Sequence, residues 1–134
     1  MPGIPLKIIR EDIKLYLIES ILKKAAFLNL AVKELNLANI NILAERAENI
    51  KDIKCDIILI RLLGKIKGLV PMTTKLLNPA GKIIFYKSQT ARDEVAVAKK
   101  VLAKFDMNSR IIEKIIPGTK IVRRLVIIEK NKLL

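Results

Sequence analysis

The sequence contains no histidine and no tryptophan, and its only cysteine is Cys55. Without histidine the chain cannot form the Ser–His or Cys–His pairs of nucleophilic catalysis, and it lacks a principal zinc ligand. A lone cysteine cannot form an internal disulfide, which is typical of proteins from a reducing compartment. Cys55 precedes an apolar run, and we interpret it as a small core residue rather than a nucleophile. We therefore expect no metal site and no Ser–His or Cys–His nucleophile pair.

Long apolar runs are also absent from the 134 residues. A membrane-spanning helix needs about 20 apolar residues in succession, whereas Lys, Arg or Asp interrupts every apolar run here. Charged residues also break up the first twelve positions, so no signal-peptide core is present. A hydrophobic content of 51% nevertheless supports a packed core. These features predict one soluble cytoplasmic domain over residues 1–134, with no membrane partner.

Acidic residues are scarce relative to basic ones. The chain has 26 Lys and Arg against 13 Asp and Glu, a net charge of +13, which favours a polyanionic partner such as RNA or DNA. A genome rich in A and T, which enriches Ile, Lys and Asn, is the alternative explanation. The charge is concentrated in residues 82–134, which hold 13 basic and 5 acidic residues. This C-terminal part is the better candidate for a phosphate-facing surface.

Strand-like and helix-like patterns alternate along the chain, as in α/β domains. Helical spacing with an N-cap at Ser20 predicts a helix to Asn36, a second helix is expected over 65–77, and Thr90 with Asp93 is expected to cap a third. The predicted strands cover 14–19, 40–45 and 55–61, and "NPAGKIIFYK" (78–87) is predicted as a turn followed by a strand. The two runs "RIIEKIIP" and "KIVRRLVIIEK" come next. Only "PGTK" separates those last runs, which is too short for a crossover helix, so they must be antiparallel.

A largely parallel α/β sheet with a C-terminal antiparallel hairpin is the pattern of the S-adenosylmethionine-dependent methyltransferases. That Rossmann-like class has seven strands, and only six are counted here. The missing first strand would precede Pro2 and lie between the strands that end near Glu19 and Arg61. We expect its loss to leave unpaired strand edges, through which the chain could self-associate.

Four residues follow predicted strands at the edge where such folds bind ligands. Glu19 could accept the hydroxyl groups of a ribose, or it could be an exposed acid at the start of a helix. Ala47 and Glu48, in "AERAEN", could meet an adenine edge through their backbone. Arg61 ends an apolar strand and could pair with a carboxylate or phosphate, or with a neighbouring acid of the chain.

Three basic residues in the C-terminal part are candidates for RNA phosphate contacts. Lys87 ends the strand "GKIIFYK", and Arg123 and Arg124 lie in the final strand. Because successive side chains of a strand point to opposite faces, at most one of the two arginines faces any single site.

The segments "PGIPLKIIRED", "LYLIES", "AERAEN", "DIILIRLLG", "NPAGKIIFYK" and "RRLVIIEK" occur in this order and resemble the glucose-inhibited-division B family. That family consists of methyltransferases that use S-adenosylmethionine to form 7-methylguanosine in 16S rRNA of the small ribosomal subunit. The resemblance covers essentially the whole chain. It implies cofactor contacts at Glu19, Ala47, Glu48 and Arg61, and basic RNA-contact positions at Lys87 and Arg124.

The chain departs from the family's pattern at several points. The family's "SRALG" is "IRLLG" here, "PGG" is "PAG", and "KG" is "KS". Of the glycine-rich cofactor signature only "PGIPL" is present, with Met1 where a Leu or Phe should stand. We therefore expect an N-terminally truncated member with weak or absent cofactor binding, because glycines let the backbone approach the cofactor closely. The alternative is a non-catalytic RNA-binding or ribosome-associated remnant.

Overall fold

The computed structural model describes residues 2–132. They form two compact units that divide between Lys51 and Asp52, and each unit is described by itself. The single domain expected over 1–134 stays a prediction. Met1, which we interpreted as a substitute for an apolar loop residue, lies outside the described residues.

The first unit contains two helices and two parallel strands. Its elements are α1 (Gly3–Ile9), β1 (Leu15–Ile18), α2 (Leu22–Glu34), β2 (Ile40–Leu43) and a 3-10 turn (Ala47–Asn49). β1 and β2 pair from Leu15 opposite Ile40 to Ile18 opposite Leu43. Ile4, Leu17 and Leu28 bring α1, β1 and α2 together in one small core. Burial of these apolar side chains stabilises the unit.

The cap of α2 differs from the prediction. Ser20 makes no cap hydrogen bond, and the position before the helix is Ile21. The Ile21 amide instead donates to Glu19 Oε2 at 3.2 Å. The acid at the end of β1 therefore satisfies a free amide at the start of the helix, where the helix dipole also favours a negative charge.

The second unit is a four-stranded mixed sheet with two helices. Its elements are β3 (Cys55–Arg61), α3 (Ile66–Thr74), β4 (Leu77–Lys87), α4 (Ala91–Lys104), β5 (Met107–Ile115) and β6 (Val122–Lys130). The strand order is β3-β4-β6-β5, with β3 and β4 parallel and the other pairs antiparallel. The α/β architecture and the antiparallel terminal hairpin are thus confirmed. β3 lies at one end of this sheet.

One face of this sheet carries the larger core. Phe85, Ile83, Val126 and Ile128 are fully buried there, and they pack with residues of α3 and α4 such as Val70 and Leu102. Because successive side chains of a strand point to opposite faces, the odd-numbered residues of β6, such as Ile127 and Arg123, face the other side of the sheet. This alternation decides which basic residues of the hairpin share a face.

Two element boundaries differ from the prediction. The helix expected over 65–77 ends at Thr74, because Leu77 already pairs with Cys55 at the start of β4. Pro71 lies inside this helix. The segment 78–81, predicted as a turn, belongs to β4. A side chain at Gly81 would come within 2.6 Å of Leu77 and 2.9 Å of the Asp56 carbonyl, so the close approach of β3 and β4 here requires glycine.

Candidate functional site

Glu19 and the segment after β2 lie at the same edge of the two-stranded sheet. The Glu19 amide donates to the Leu43 carbonyl at 3.0 Å, which aligns the carboxyl ends of β1 and β2. Ala47 begins the 3-10 turn four residues after Leu43. The edge predicted for Glu19, Ala47 and Glu48 therefore exists within the first unit.

A cavity of about 500 Å³ opens beside Glu19. Its other lining residues are Lys23, Lys24, Phe27 and Leu28, all on α2. Glu19 uses Oε2 to cap the helix, and Oε1 has no hydrogen-bond partner among residues 2–132. A carboxylate oxygen beside an exposed aromatic ring suits a ribose diol attached to a planar base. The hydrogen-bond acceptor and the aromatic ring together are compatible with a nucleoside.

The 3-10 turn after β2 is held by local bonds. The Asn49 amide donates to the Arg46 carbonyl at 3.0 Å, and the Ile50 amide donates to the Ala47 carbonyl at 3.2 Å. Glu48 also forms an exposed ion pair with Arg46 at 3.5 Å. Ile50 is buried and anchors the C-terminal side of the turn. The turn thus has a defined backbone at the edge that carries Glu19.

Arg61 ends β3 in the second unit and has an exposed side chain. Among residues 2–132, no acid lies within ion-pair distance of Arg61. The alternative that Arg61 pairs with a neighbouring acid therefore finds no support among these residues. The next residue, Leu62, has a positive φ of 55° and is 90% exposed. A leucine in this conformation is strained, and such strain concentrates at ligand-binding loops.

Lys87 is engaged in a nearly buried ion pair. Its Nζ lies 2.9 Å from Glu94 Oε1, and the side chains are 14% and 11% exposed. The same ammonium donates to the Gly64 carbonyl at 2.7 Å. Glu94 also accepts bonds from the Thr90 hydroxyl at 2.8 Å and the Ile66 amide at 3.3 Å. Lys87 thereby ties the end of β4 to α4 and to the loop after Arg61.

The pKa of Glu94 is lowered by this network. Burial raises the pKa, but the hydrogen bonds from Lys87, Thr90 and the Ile66 amide, together with the charge of Lys87, outweigh that effect. The capping interaction predicted for Thr90 and Asp93 differs, because the Thr90 hydroxyl donates to Glu94 and makes no backbone cap bond. Sequence reasoning missed Glu94. Its position four residues after Thr90 on one helix face was the available signal.

The two adjacent arginines of β6 have different surroundings. Arg124 donates from Nε to Glu113 at 3.0 Å and from a guanidinium nitrogen to the Ser88 carbonyl at 3.1 Å. Arg124 lowers the pKa of Glu113, with a smaller contribution from Arg92. Arg123 is exposed and lies opposite Lys114 of β5. The prediction that the two arginines face opposite sides agrees with this register.

Cys55 is partly buried at the start of β3. Burial raises the pKa of its thiol, and the neighbouring Asp56 raises it further. A raised pKa keeps the thiol protonated and poorly nucleophilic.

No helix formed by residues 2–132 is long and apolar enough to cross a membrane. Within the same range, no group of three or more Cys, Asp or Glu side chains is arranged to hold a metal ion.

Several solved methyltransferase structures have similar folds. A methyltransferase from Pyrococcus furiosus superposes with a TM-score of 0.74 at 16% identity, over 95% of this chain and 69% of that one. M. jannaschii TYW2, solved in complex with AdoMet, gives a TM-score of 0.69 at 16% identity, over 95% of this chain and 63% of that one. At these identities the likeness establishes the fold: a Rossmann-like methyltransferase fold.

Sequence relatives agree on one family. The chain is 38% identical to ribosomal RNA small subunit methyltransferase G of Sorangium cellulosum over 108 residues, which is 78% of this chain and 45% of the relative. It is 32% identical to the protein of that name from Aromatoleum aromaticum over 139 aligned positions, covering 98% of this chain and 63% of the relative. The chain thus spans between 45% and 63% of these relatives.

A family model also covers the segments quoted above, except "RRLVIIEK". The model described as rRNA small subunit methyltransferase G aligns with residues 1–122, from α1 to the first residue of β6. The match includes the edge with Glu19, the 3-10 turn, Arg61 and Lys87. The chain therefore belongs to the rRNA small subunit methyltransferase G (GidB) family.

Proposed function

We propose that this protein acts in the S-adenosylmethionine-dependent methylation of a guanine in 16S rRNA to 7-methylguanosine. The family match over residues 1–122 carries this proposal. The nucleoside-compatible edge of the first unit supports it. The substrate would be the 16S rRNA itself or the small ribosomal subunit.

The cofactor proposal assigns each candidate residue a role. Glu19 would bind the ribose hydroxyls with its free carboxylate oxygen, and the backbone of Ala47 and Glu48 would border the adenine. Arg61, in the second unit, remains a proposed cofactor contact on the strength of the family resemblance, and its exposed guanidinium can pair with a carboxylate. When bound, S-adenosylmethionine supplies an electrophilic methyl group attached to a sulfonium sulfur.

The reaction does not require the protein to transfer a proton. The N7 lone pair of guanine is free, so it can form the new bond to the methyl carbon as the carbon–sulfur bond breaks. No proton has to be removed, and no general base is required. The protein's contribution is the orientation of the two reactants, which can account for much of a rate enhancement. No single catalytic side chain is therefore expected for this reaction.

Lys87, Arg123 and Arg124 remain proposed RNA contacts. Their environments favour unequal contributions. Lys87 and Arg124 are paired with Glu94 and Glu113, so a phosphate would have to compete with an internal acid. Arg123 is exposed, and it should contribute most to the affinity for RNA.

Methyl incorporation tests the proposed function. The chain would be incubated with labelled S-adenosylmethionine and small subunits that lack the modification, and the labelled nucleoside would be identified. At S-adenosylmethionine concentrations high enough to offset weak binding, we expect label in 7-methylguanosine, reduced by Glu19→Ala and unchanged by Glu45→Ala, an exposed acid of the same edge. Label in another nucleoside, or equal rates for both variants, would contradict the proposal.

Calorimetric titration measures the cofactor step separately. Weak or absent binding of S-adenosylmethionine by this chain, expected from the incomplete glycine signature, stays a prediction. A dissociation constant in the low micromolar range would overturn it.

A non-catalytic RNA-binding role is the second candidate. It is favoured by the excess of basic residues in positions 82–134. RNA binding without methyl incorporation, by a chain that binds no S-adenosylmethionine, would select this role over the enzymatic one.

A further inference from the structure

The tip of the β5–β6 hairpin carries two cations in an unfavourable arrangement. Lys114 and Arg123 are directly opposite each other in the register, and both are exposed. Opposed residues of an antiparallel pair lie on the same face with Cβ atoms about 5 Å apart, where like charges destabilise the sheet. The arrangement therefore favours an anion between them.

Residues 2–132 do not supply that anion. Between Arg110 and Arg124 the sequence has a single acid, Glu113. Glu113 lies on the opposite face, opposite Arg124 and bonded to it at 3.0 Å. Within residues 2–132 no acid lies at ion-pair distance from Lys114 or Arg123. Lys87 and Arg124 are paired with Glu94 and Glu113 respectively, whereas Lys114 and Arg123 have no acidic partner among residues 2–132.

Two isoleucines lie next to these cations. Ile116 and Ile121 face each other one step further towards the turn, and because strand side chains repeat every second residue, they share the face of Lys114 and Arg123. They are 37% and 46% exposed. We name these four residues, Lys114, Ile116, Ile121 and Arg123, the hairpin patch.

The turn holds the hairpin patch in one conformation. The Ile116 amide donates to the Ile121 carbonyl at 2.9 Å, and the Thr119 amide donates to the Ile116 carbonyl at 3.0 Å. The Thr119 hydroxyl accepts from the Ile121 amide at 3.1 Å. Gly118 supplies the positive φ of 76° that the turn requires. A rigid turn reduces the entropy lost when the hairpin patch binds a ligand.

We propose that the hairpin patch is a binding surface for RNA, with Lys114 and Arg123 on the phosphate backbone. Ile116 and Ile121 cover the adjoining ribose or an unstacked base. This inference rests on the proposed rRNA substrate and extends it to a surface that includes only one of the previously considered residues, Arg123. RNA is favoured over an anionic membrane because the hairpin has no aromatic side chain to anchor it in an interface.

The salt dependence of RNA binding by the full chain tests the cations. Binding of a fluorescein-labelled single-stranded RNA would be followed by anisotropy at several salt concentrations. The double variant Lys114→Gln with Arg123→Gln should weaken binding about tenfold and reduce the slope of log K against log salt by about 1.4, since each single-strand phosphate contact contributes about 0.7. The control Lys99→Gln with Lys100→Gln removes the same charge from α4 and should leave the slope unchanged.

The isoleucines have a different signature. Ile116→Ser with Ile121→Ser should weaken binding several-fold at every salt concentration without changing the slope, because apolar contacts release no counterions. Urea unfolding distinguishes a variant that misfolds from one that has lost only its RNA contacts. The cation double variant should unfold at the same or a higher urea concentration than the wild type, since a like-charge repulsion is removed.

Several outcomes would overturn the inference. They are an equal slope change in the α4 control, absence of RNA binding by the wild type, and binding to phosphatidylserine vesicles in place of RNA. The proposed function is measured separately by methyl incorporation. RNA binding through the hairpin patch without incorporation would refute the enzymatic function and leave the hairpin patch as an RNA surface.

Discussion

Replacement of Lys87 by methionine tests how the loop after Arg61 is held. Methionine preserves most of the aliphatic volume and removes the ammonium that bonds Glu94 at 2.9 Å and the Gly64 carbonyl at 2.7 Å. Glu94 keeps its bonds to the Thr90 hydroxyl and the Ile66 amide. The variant therefore leaves a mostly buried carboxylate with two of its partners and no counter-charge.

The size of the effect follows from the exposure of the pair. Breaking a fully buried ion pair costs about 3–5 kcal/mol, and an exposed pair contributes about 0–1 kcal/mol. The side chains here are 14% and 11% exposed, and Glu94 retains other donors. We expect Lys87→Met to lower the free energy of unfolding by about 2 kcal/mol, the range of a hydrogen bond to a charged group.

Urea denaturation and hydrogen exchange measure this cost. Lys82→Met is the matched control, because Lys82 lies in the same strand and pairs with Glu129 at 3.7 Å, with side chains 43% and 28% exposed. That control should cost about 0.5 kcal/mol. Amides of residues 62–66 should exchange faster in Lys87→Met than in the control. Equal stability losses in the two variants, or unchanged exchange in this loop, would refute the reasoning.

Three further predictions concern stability. The stability lost in Glu94→Gln should shrink as the pH falls, because a carboxylate with a lowered pKa stabilises the fold above its ordinary pKa of 4.5 and stops doing so as the pH passes through the lowered value. Urea curves at about pH 6 should separate the variant from the wild type, and the difference should decrease steadily as the pH is lowered below 4.5. Gly81→Ala should lower the free energy of unfolding, measured with urea, by about 1–3 kcal/mol, because the alanine Cβ would meet the Asp56 carbonyl at 2.9 Å. An unchanged free energy of unfolding would mean that β3 and β4 separate easily. Lys7→Met should lower the free energy of unfolding by about 1–3 kcal/mol, because the buried Lys7 ammonium donates to the backbone carbonyls of Glu11 and Ile13. Thermal unfolding followed by circular dichroism measures this loss, and Lys33→Met, at an exposed position, is the control.

The local patterns of the sequence predicted most of the elements. The strand 55–61 was predicted with its correct ends, because four consecutive apolar residues between Asp56 and Arg61 are typical of a strand. The short "PGTK" connection dictated an antiparallel hairpin. Element boundaries were predicted less accurately where the spacing of a residue fits a helix but its pairing places it in a strand. Leu77 was assigned to a helix by its spacing, but pairing with Cys55 places it in β4.

The candidate residues themselves could be named from the sequence, because strand ends and charge type are local properties. That Arg123 and Arg124 face opposite sides followed from the strand period alone. Their partners depended on the tertiary structure. The strand register places Arg124 opposite Glu113 and Arg123 opposite Lys114, and helix packing brings Glu94 to Lys87. Register and packing join residues distant in sequence, so only the fold decided which cations are compensated and which are left for a ligand.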